Sequence, residues 1–445
     1  MGLEKRVTNA HHNTQPTSHD TSLASNGYLQ RLPPPATLVT LIRACAKQND
    51  LPKGHTLHAY VLKNGLISAN IFIGNTLLSM YAKCGALARA RQVFDELSIK
   101  SVVSWTALID GYAQHRLGRE ALKCFKEMKC HGLSPDGQTF ACTLKACGNI
   151  GDLEEGERIH EEMSERNLLE TNVVLCNAVV DMYAKCGEFV KAQQVLEKLP
   201  FRSEICWNGL IAGYLQHGQG ERALDCLDRM QHEGLSPTAV TFACALKACG
   251  STIAIERGEE LHGEIMRREL LGKNSVVGTA LVDMYIKCGA LAKAQKVFDV
   301  LPARNVVSWT ALIAGYAEEG RHDHIFGSFN RMVSENVKPN LVTYVIVLNA
   351  CRRLGLVNEA QSYFESMSTS HGILPTFKHR ICMVSLFGFA GYLDKAMSVI
   401  KRSPLPDRLP AWSALISTCQ KLGNVKLARE AFEHAVQLHE EIELL

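Results

Sequence analysis

The residues of this chain with the widest chemical range are its 16 cysteines and 17 histidines, among 445 residues. Cysteine metal sites typically use the C-x-x-C spacing, and no two cysteines here have it. The spacing Cys142-x4-Cys147 recurs at Cys244, but Cys45 and Cys351 occupy the equivalent place without a partner. We therefore predict no metal site and no cofactor, and interpret most of these cysteines as small buried residues.

The triplet H-x-E, which forms part of the zinc-deaminase signature, occurs at His160, His262 and His439. A deaminase also needs P-C-x-x-C to hold its zinc, so we expect neither a deaminase nor any catalytic residue in this sequence. Gly218-x-Gly220-x-x-Ala223 matches a dinucleotide fingerprint, but it follows a helical pattern rather than the strand that the fingerprint requires. The sequence favours a binding protein over an enzyme.

The charge and hydropathy of the chain limit the kinds of partner that it can bind. The net charge is +3, from 48 basic and 45 acidic residues. This value excludes nucleic-acid binding through a polybasic surface of the histone type and leaves milder nucleic-acid contact open. The N-terminus lacks the apolar segment of a secretory signal, and the longest nearly apolar stretch, residues 381–392, is too short to cross a bilayer. We expect free thiols and no membrane contact.

One repeat organises the sequence. Trp105, Trp207 and Trp309 stand 102 residues apart, and the segment MYAKCG begins at Met80 and again, 102 residues later, at Met182. Each period divides into pieces of 31, 35 and 36 residues, the first set of which begins at residues 71, 102 and 137. A period of this kind is typical of a repeat architecture rather than of separate globular domains.

Each piece predicts two short helices. Trp105, Leu108, Ile109 and Tyr112 recur with helical spacing, and a second such series ends before Pro135. Helices this short bury their apolar faces only by stacking on neighbours. We predict an all-α fold, a right-handed α-solenoid of helix-turn-helix repeats with the tryptophans in its core. Its predicted divisions are a disordered tail or weak transit peptide over 1–34, the repeat array over 35–408 and an extension-like final repeat over 409–445.

Four phrases carry a family resemblance. VVSWTALIDGY, VVSWTALIAGY, GNTLLSMYAKCG and EALKCFKEMKCHGLSPD resemble pentatricopeptide repeat (PPR) proteins. The alternation of unit lengths is similar to the plant organellar PLS subclass, and the end of the chain resembles the E-type extension motif of RNA-editing members, without the DYW deaminase domain. The resemblance covers roughly residues 35–443. It implies sequence-specific binding of single-stranded RNA, in which each repeat reads one base with two or three side chains.

The resemblance also assigns residues. In the family, the fifth and last residues of a unit read the base, and an apolar second residue packs between bases. The base-reading pairs carried over to this chain are Asn75 with Ser101, Thr106 with Asp136, Asn177 with Ser203, Asn208 with Thr238, Thr279 with Asn305, and Thr310 with Asn340. The base-packing residues are Phe72, Val103, Val174, Ile205, Val276 and Val307.

The long units differ from this pattern because their fifth residues are apolar: Val39, Ala141, Ala243 and Val345. Such side chains cannot form hydrogen bonds with a base edge. By the family's pairing rules and its parallel orientation, the units in chain order predict the target 5′-n-C-G-n-C-Y-n-A-A-n-3′.

The function implied by the resemblance is a specificity factor for C-to-U RNA editing in a mitochondrion or chloroplast, with the mitochondrion preferred. The expected protein is a monomer whose C-terminal piece recruits a deaminase or another editing-complex protein in trans. Transcript stabilisation or splicing remains an alternative, as does a protein-binding scaffold of the tetratricopeptide type or a degenerate member without a target. Salt dependence separates RNA binding from the scaffold, because phosphate contacts weaken with salt.

Overall fold

The computed structural model describes residues 34–170, 172–199, 202–421, 423 and 425–443. Within these ranges the chain forms α-helices joined by short turns, with no strand, so the all-α prediction is confirmed. The predicted tail, residues 1–34, lies outside the described residues except for Pro34. The chain divides after Ala146 into two compact units.

The helices of the first unit are α1 Pro35–Gln48, α2 Leu51–Lys63, α3 Leu66–Ala69, α4 Ile71–Lys83, α5 Leu87–Glu96, α6 Val102–Gln114 and α7 Gly118–Cys130. Helix α8, Gly137–Ile150, begins in this unit and ends in the second. Three hairpins form by the packing of α1 on α2, α4 on α5 and α6 on α7. Their first helices α1, α4 and α6 also pack on one another in chain order.

The helices of the second unit are α9 Leu153–Glu165, α10 Val173–Lys185, α11 Phe189–Lys198, α12 Glu204–Gln216, α13 Gly220–His232, α14 Ala239–Thr252, α15 Ile255–Arg267, α16 Leu270–Lys273, α17 Ser275–Lys287, α18 Leu291–Val300, α19 Val306–Glu318, α20 His322–Ser334, α21 Leu341–Leu354, α22 Val357–Thr369, α23 Phe377–Phe389, α24 Leu393–Lys401, α25 Leu405–Lys421 and α26 Val425–Glu443. The first helices of its hairpins, α10, α12, α14, α17, α19, α21, α23 and α25, pack in that order. Each unit is thus a stack of helical hairpins, the arrangement that defines an α-solenoid.

In nine of the described first helices, α4, α6, α8, α10, α12, α14, α17, α19 and α21, the N-cap side chain is the last residue of the preceding repeat. Ser101 accepts a hydrogen bond from the backbone N–H of Ser104, and Asn340 does the same for Thr343 at 2.9 Å. A side-chain oxygen at this place satisfies an N–H group that has no partner inside the helix. The last helix of this class, α25, begins at Leu405 rather than at residue 409, where the pattern places the final piece.

The periodic tryptophans lie in the core, as predicted. Trp105, Trp207 and Trp309 are at most 2% exposed. The Trp105 ring meets Phe94 edge-on with centroids 4.5 Å apart, and Trp309 meets Phe298 in the same way at 4.6 Å. Each of these ring pairs joins the second helix of one hairpin to the first helix of the next. The tryptophans are therefore not available to stack on a ligand.

Glycine permits the closest approach between first helices. A Cβ added to Gly213 on α12 would lie 2.5 Å from the Cβ of Ala184 on α10, and one added to Gly111 on α6 would lie 2.6 Å from that of Ala82 on α4. Both distances are shorter than carbon atoms tolerate. The recurrent glycine therefore sets the spacing of the first helices within each unit.

Three histidines that share the 102-residue period, His58, His160 and His262, connect second helices to the following first helix. We call them the repeat histidines. Their Nδ1 atoms lie 3.0, 2.9 and 2.9 Å from the hydroxyls of Tyr81, Tyr183 and Tyr285. Burial lowers the pKa of all three imidazoles, so the neutral ring is the form that the packed structure favours.

Candidate nucleic-acid interface

The predicted base-reading residues lie at the start of the first helices. The fifth residue of a unit occupies the end of the first helical turn, and the last residue is the N-cap of the next first helix, as shown by Asn75 in α4 and Ser101 before α6. Each predicted pair therefore comes from the ends of two helices that pack on each other. This arrangement places both polar side chains at one edge of the helix stack.

The predicted base-packing residues are large apolar side chains that the protein leaves uncovered. Phe72 is 73% exposed, and the other five, Val103, Val174, Ile205, Val276 and Val307, are 57–65% exposed. Each lies in the first turn of its helix, beside the polar pair. Every reading unit therefore presents one exposed apolar side chain that no residue of the described protein covers.

In the first unit, a buried hydroxyl connects the two members of the first pair. The Ser104 hydroxyl donates to Oδ1 of Asn75 at 2.8 Å and lies 3.0 Å from the Ser101 hydroxyl. The backbone N–H of Ser101 also donates to the Ser104 oxygen at 3.2 Å. Because Oδ1 of Asn75 is engaged, its amide nitrogen is left as the outward group, which is a donor.

The second pair is connected in the same way. Thr139 donates its hydroxyl to Oδ1 of Asp136 at 2.7 Å, and its oxygen lies 2.7 Å from the Thr106 hydroxyl. The Thr139 backbone N–H donates to the same carboxylate oxygen at 2.8 Å. Within the described protein, Oδ2 of Asp136 has no partner, so this exposed carboxylate offers an acceptor. Thr106 is only 7% exposed, and is the most buried of the predicted readers.

The second unit repeats this connection with one change of atom. Between Asn208 and Thr238, the Thr241 hydroxyl donates to Oδ1 of Asn208 at 2.7 Å and lies 3.0 Å from the Thr238 hydroxyl. Between Asn177 and Ser203, the connecting residue is a cysteine: the Cys206 thiol donates to Oδ1 of Asn177.

The two pairs assigned to adenine differ from each other. The Thr343 hydroxyl donates to Oδ1 of Asn340 at 3.0 Å and lies 2.8 Å from the Thr310 hydroxyl. In the preceding unit the Thr279 hydroxyl donates to the carbonyl of Ser275 at 2.8 Å. The residue that would connect it to Asn305, Ser308, donates to the Asn305 carbonyl at 2.9 Å, so this pair is not connected.

The N-cap role decides what Asn340 presents outward. Backbone N–H groups are donors only, so the amide must turn its oxygen towards the helix, where Thr343 donates to it. Its Nδ2 then faces away as a donor. Asp136 holds the equivalent place and presents an acceptor instead. Two last residues in the same local structure therefore offer opposite hydrogen-bonding groups.

Cations share the helix face that carries the predicted readers. Residues four and eight positions after the fifth residue lie on the same face. In the first unit these positions include four cations and one carboxylate, namely Arg43, Lys47, Lys83, Lys145 and Asp110. In the second unit they include four cations and three carboxylates, namely Lys185, Lys247, Lys287, Arg353, Asp181, Asp283 and Glu318.

Two of the second unit's lysines are already paired. Lys185 lies 2.6 Å from Asp181 and Lys287 lies 2.8 Å from Asp283. The first unit therefore has the larger uncompensated positive charge on this face, although the whole chain is close to neutral. A phosphate backbone on this face would meet modest local attraction and would bind with a salt dependence of a few charges.

Sequence reasoning missed two groups of residues. The connecting residues Ser104, Thr139, Cys206, Thr241 and Thr343 were not singled out, because their role depends on a contact with the preceding repeat. Two of the four long units also have an exposed valine in second position, with Val240 60% and Val342 57% exposed. The same offset from the helix start would have identified both valines. The long units' fifth residues provide no polar atom, and Ala243 is buried at 7% exposure.

The cysteines of the structure are free thiols. Burial raises the pKa of Cys124 to about 11 and that of Cys142 to about 12, which keeps these thiols protonated and unreactive near neutral pH. In the described ranges, no cluster of three or more histidine, cysteine or acidic residues has a geometry that could hold a metal ion. None of the helices found there is both long and apolar enough to cross a membrane.

Comparison with known proteins identifies the family of these repeats. The profile of the PPR repeat family matches residues 100–149, 202–251 and 304–353, and the PPR repeat profile matches 75–102, 139–168, 174–202 and 342–371. Together they cover more than half of the chain. The chain belongs to the pentatricopeptide repeat family. Its resemblance to PPR proteins, predicted from the repeated phrases, is confirmed.

Several Arabidopsis thaliana PPR proteins are similar over most of this chain. The mitochondrial protein At1g06140 is 33% identical over 404 residues, covering 91% of this chain and 72% of the relative. At1g03540 is 34% identical over 86% of this chain and 62% of its own length. The chloroplastic protein At3g49170 is 34% identical over 90% of this chain and 47% of its own length. The PPR chain thus spans about half to three-quarters of these relatives. The two names that give a compartment, mitochondrial and chloroplastic, agree with the predicted organellar location.

Solved PPR structures are also similar. The crystal structure of PPR10 from maize has a TM-score of 0.43 and 18% identity, covering 91% of this chain and 69% of that one. The structure of PPR10 in complex with an 18-nt psaJ RNA element has a TM-score of 0.45 and 18% identity, covering 92% and 70% of the two chains.

Proposed function

We propose that this PPR chain binds single-stranded RNA and reads it one base per short or standard unit. The observation that carries the proposal is the repeated combination of an exposed apolar side chain in second position with a polar pair held at the same helix edge. Exposed apolar residues stack on or pack between unpaired bases, and adjacent polar groups read their Watson–Crick edges. Three elements are needed for such a reader, namely the apolar side chain and the two polar ones, and each of the six units with a predicted reading pair supplies all three.

The hydrogen-bonding groups support the individual base assignments. Guanine presents two donors, N1–H and the N2 amino group, and the free acceptor of Asp136 matches them. Adenine presents an acceptor at N1, which matches the outward amide donor of Asn340. Cytosine presents acceptors at O2 and N3, whereas uracil has a donor at N3, so the outward donor of Asn75 favours cytosine. These matches support the target 5′-n-C-G-n-C-Y-n-A-A-n-3′.

Fluorescence anisotropy with a labelled RNA tests the proposal. The probe 5′-UCGUCCUAAU-3′ fits the target, and a scrambled RNA of the same composition is the reference. We expect the probe to bind at least tenfold more tightly, since each mismatched base costs about 1–3 kcal/mol in nucleic-acid recognition. Equal affinity for the two RNAs would contradict the proposal.

Matched valine variants separate base packing from general surface effects. Val174 and Val276 are exposed in second position of first helices, while Val190 and Val300 are equally exposed, at 68% and 64%, on second helices. The double variant Val174→Ala/Val276→Ala is expected to weaken binding several-fold, because base contacts with such side chains contribute about 1–3 kcal/mol each when aromatic and less when aliphatic. Val190→Ala/Val300→Ala should bind as the unaltered protein does.

The role that we propose for this binding is a specificity factor for C-to-U editing of organellar transcripts. The E-type resemblance of residues 409–445 supports it. A deaminase recruited in trans would catalyse the deamination of cytidine. The chain itself would act as a monomer without a cofactor. Transcript sequencing after disruption of the gene tests this role. An unchanged set of C-to-U sites, with an altered abundance or splicing of one transcript, would favour stabilisation or splicing instead.

Salt titration separates RNA binding from a protein scaffold role. If four to six cations of the reader face contact phosphates, log K should fall with log salt with a slope of about −3 to −4. Binding to a protein through apolar surface would lack this dependence. A slope near zero would therefore favour the scaffold.

A further inference from the structure

In five of the six reading repeats, the residue in third position of the next first helix connects the two predicted readers. Ser308 holds the same position without a bond to the fifth residue, Thr279. We call these residues the connectors: Ser104, Thr139, Cys206, Thr241, Ser308 and Thr343. We propose that the connectors are specificity-determining positioning residues, which orient the reading pair without touching the RNA. The inference rests on the proposed RNA-reading function.

Burial excludes direct contact between connectors and a ligand. All six side chains are 0% exposed. Five of the six nevertheless bond to the fifth residue of the preceding repeat, at 2.7–2.8 Å for Ser104, Thr139, Thr241 and Thr343, and through a thiol for Cys206. A connector can therefore influence a base only by fixing the side chain that reads it.

The polarity of the third residue follows that of the reader before it. Where the preceding fifth residue is polar, the third residue is serine, threonine or cysteine, which holds for all six connectors. After the long units with Val39, Ala141 and Ala243, the third residues are Ile73, Leu175 and Val277. One repeat departs from the rule, since His379 follows Val345 and bonds to the carbonyl of Leu341.

Helix capping does not explain this correlation. Helices α4, α10 and α17 have an apolar third residue, and their N-cap asparagines, Asn70, Asn172 and Asn274, accept from two backbone N–H groups without help. A first helix can therefore start well without a hydroxyl in third position. Four of the connectors also accept the backbone N–H of the N-cap residue, but five of the six bond in addition to the fifth residue of the preceding repeat.

Two repeats form a natural comparison. Asn75 with Ser101 and Asn177 with Ser203 are the same reading pair, but the connector is Ser104 in one and Cys206 in the other. A thiol is a weaker donor than a hydroxyl, and the Ser203 hydroxyl adds only a long bond of 3.3 Å to the same oxygen of Asn177. The amide of Asn177 is therefore less firmly oriented than that of Asn75, which has a hydroxyl bond of 2.8 Å. We therefore expect sharper discrimination of cytosine at the second nucleotide of the target than at the fifth.

Exchanging the two connectors tests the inference in the full chain. Affinities are measured by anisotropy for RNAs carrying C, U or A at the second or the fifth nucleotide of 5′-UCGUCCUAAU-3′. Ser104→Cys and Ser104→Ala should lower the preference for C at the second nucleotide by about 3- to 10-fold, the effect of one hydrogen bond. Cys206→Ser should raise the preference at the fifth nucleotide, and Ser104→Thr should retain it at the second.

The outcomes separate this inference from the proposed function. If the unaltered protein shows base preferences that Ser104→Ala, Ser104→Cys and Cys206→Ser leave unchanged, the connectors are structural only and the inference is wrong. A uniform loss of affinity for all RNAs also contradicts it, because orientation acts on one base. If the unaltered protein has no base preference, the proposed function itself fails. Thermal unfolding identifies a variant that has lost its fold, and Cys206→Ser, which adds a stronger donor, then provides the test.

Discussion

Substitution of Asp136 by asparagine should exchange the base that its repeat prefers. Asparagine is as good an N-cap as aspartate, so the new amide in the variant Asp136→Asn should turn its oxygen to the Thr139 N–H, as Asn340 does for Thr343 at 2.9 Å. The outward group at this position then changes from a carboxylate acceptor to an amide donor. That donor opposes the donors of guanine and matches N1 of adenine.

The size of the effect follows from the bonds exchanged. Loss of a hydrogen bond to a charged acceptor costs about 1.5–3 kcal/mol, which weakens binding to guanine by about 10- to 150-fold. A new neutral bond to adenine contributes about 0.5–1.5 kcal/mol, or about 2- to 12-fold. Anisotropy on RNAs with G or A at the third nucleotide measures both changes.

The reciprocal change provides the control. Asn340→Asp should move the preference at the ninth nucleotide from A towards G and leave the third nucleotide unaffected. Urea unfolding should place both variants close to the unaltered protein, since both keep the N-cap. Equal weakening of the G and A probes by Asp136→Asn, with the fold intact, would refute the assignment of Asp136 as a base-reading residue.

Three further predictions concern the fold. Gly213→Val should destabilise the protein by about 1–3 kcal/mol through overpacking against Ala184, whereas Gly327→Ala, in a helix with no neighbour within 4 Å, should be neutral or stabilising by up to about 1 kcal/mol in urea unfolding; similar losses in both would contradict the close approach. The repeat histidines have lowered pKa values in the folded state, so the unfolded chain binds more protons, and the melting temperature should fall as pH decreases below 6.5. Replacement of all three by glutamine should reduce this pH dependence of the melting temperature. An unchanged pH profile in that variant would contradict the prediction. Among the cysteines, exposed Cys130 should be alkylated first by iodoacetamide, while buried Cys142, with a pKa raised to about 12, should react only on unfolding. Mass spectrometry measures the modification of each cysteine over time, and rapid modification of Cys142 in the native protein would contradict its burial.

The repeat period made most first helices predictable. A helix starts where an N-cap side chain is followed by apolar residues at helical spacing, and both signals recur with the repeat, as at Val102 and Ser275. The start of α25 at Leu405 departs from the period, and the helix contains Pro410. Pro406 is compatible with the first turn because the N–H groups there have no partner inside the helix.

The candidate site was predictable in part. Its predicted readers and packing residues could be assigned by offset from the repeat start, and their roles stay a prediction. The connectors could not be assigned in this way, because Ser104 acts on Asn75, 29 residues earlier. Their polarity is visible in the sequence, but only the packing of one first helix on the next shows which side chain each of them holds.

Selection of RNA from a random single-stranded library tests base reading by the repeats without presuming a target. The full chain is incubated with the library at physiological salt, and the bound RNA is sequenced. We expect enrichment of C-G-n-C-Y-n-A-A, with the unread positions tolerant of any base. Enrichment of an unrelated sequence, or none above the input library, would contradict the claim that each short or standard repeat reads one base.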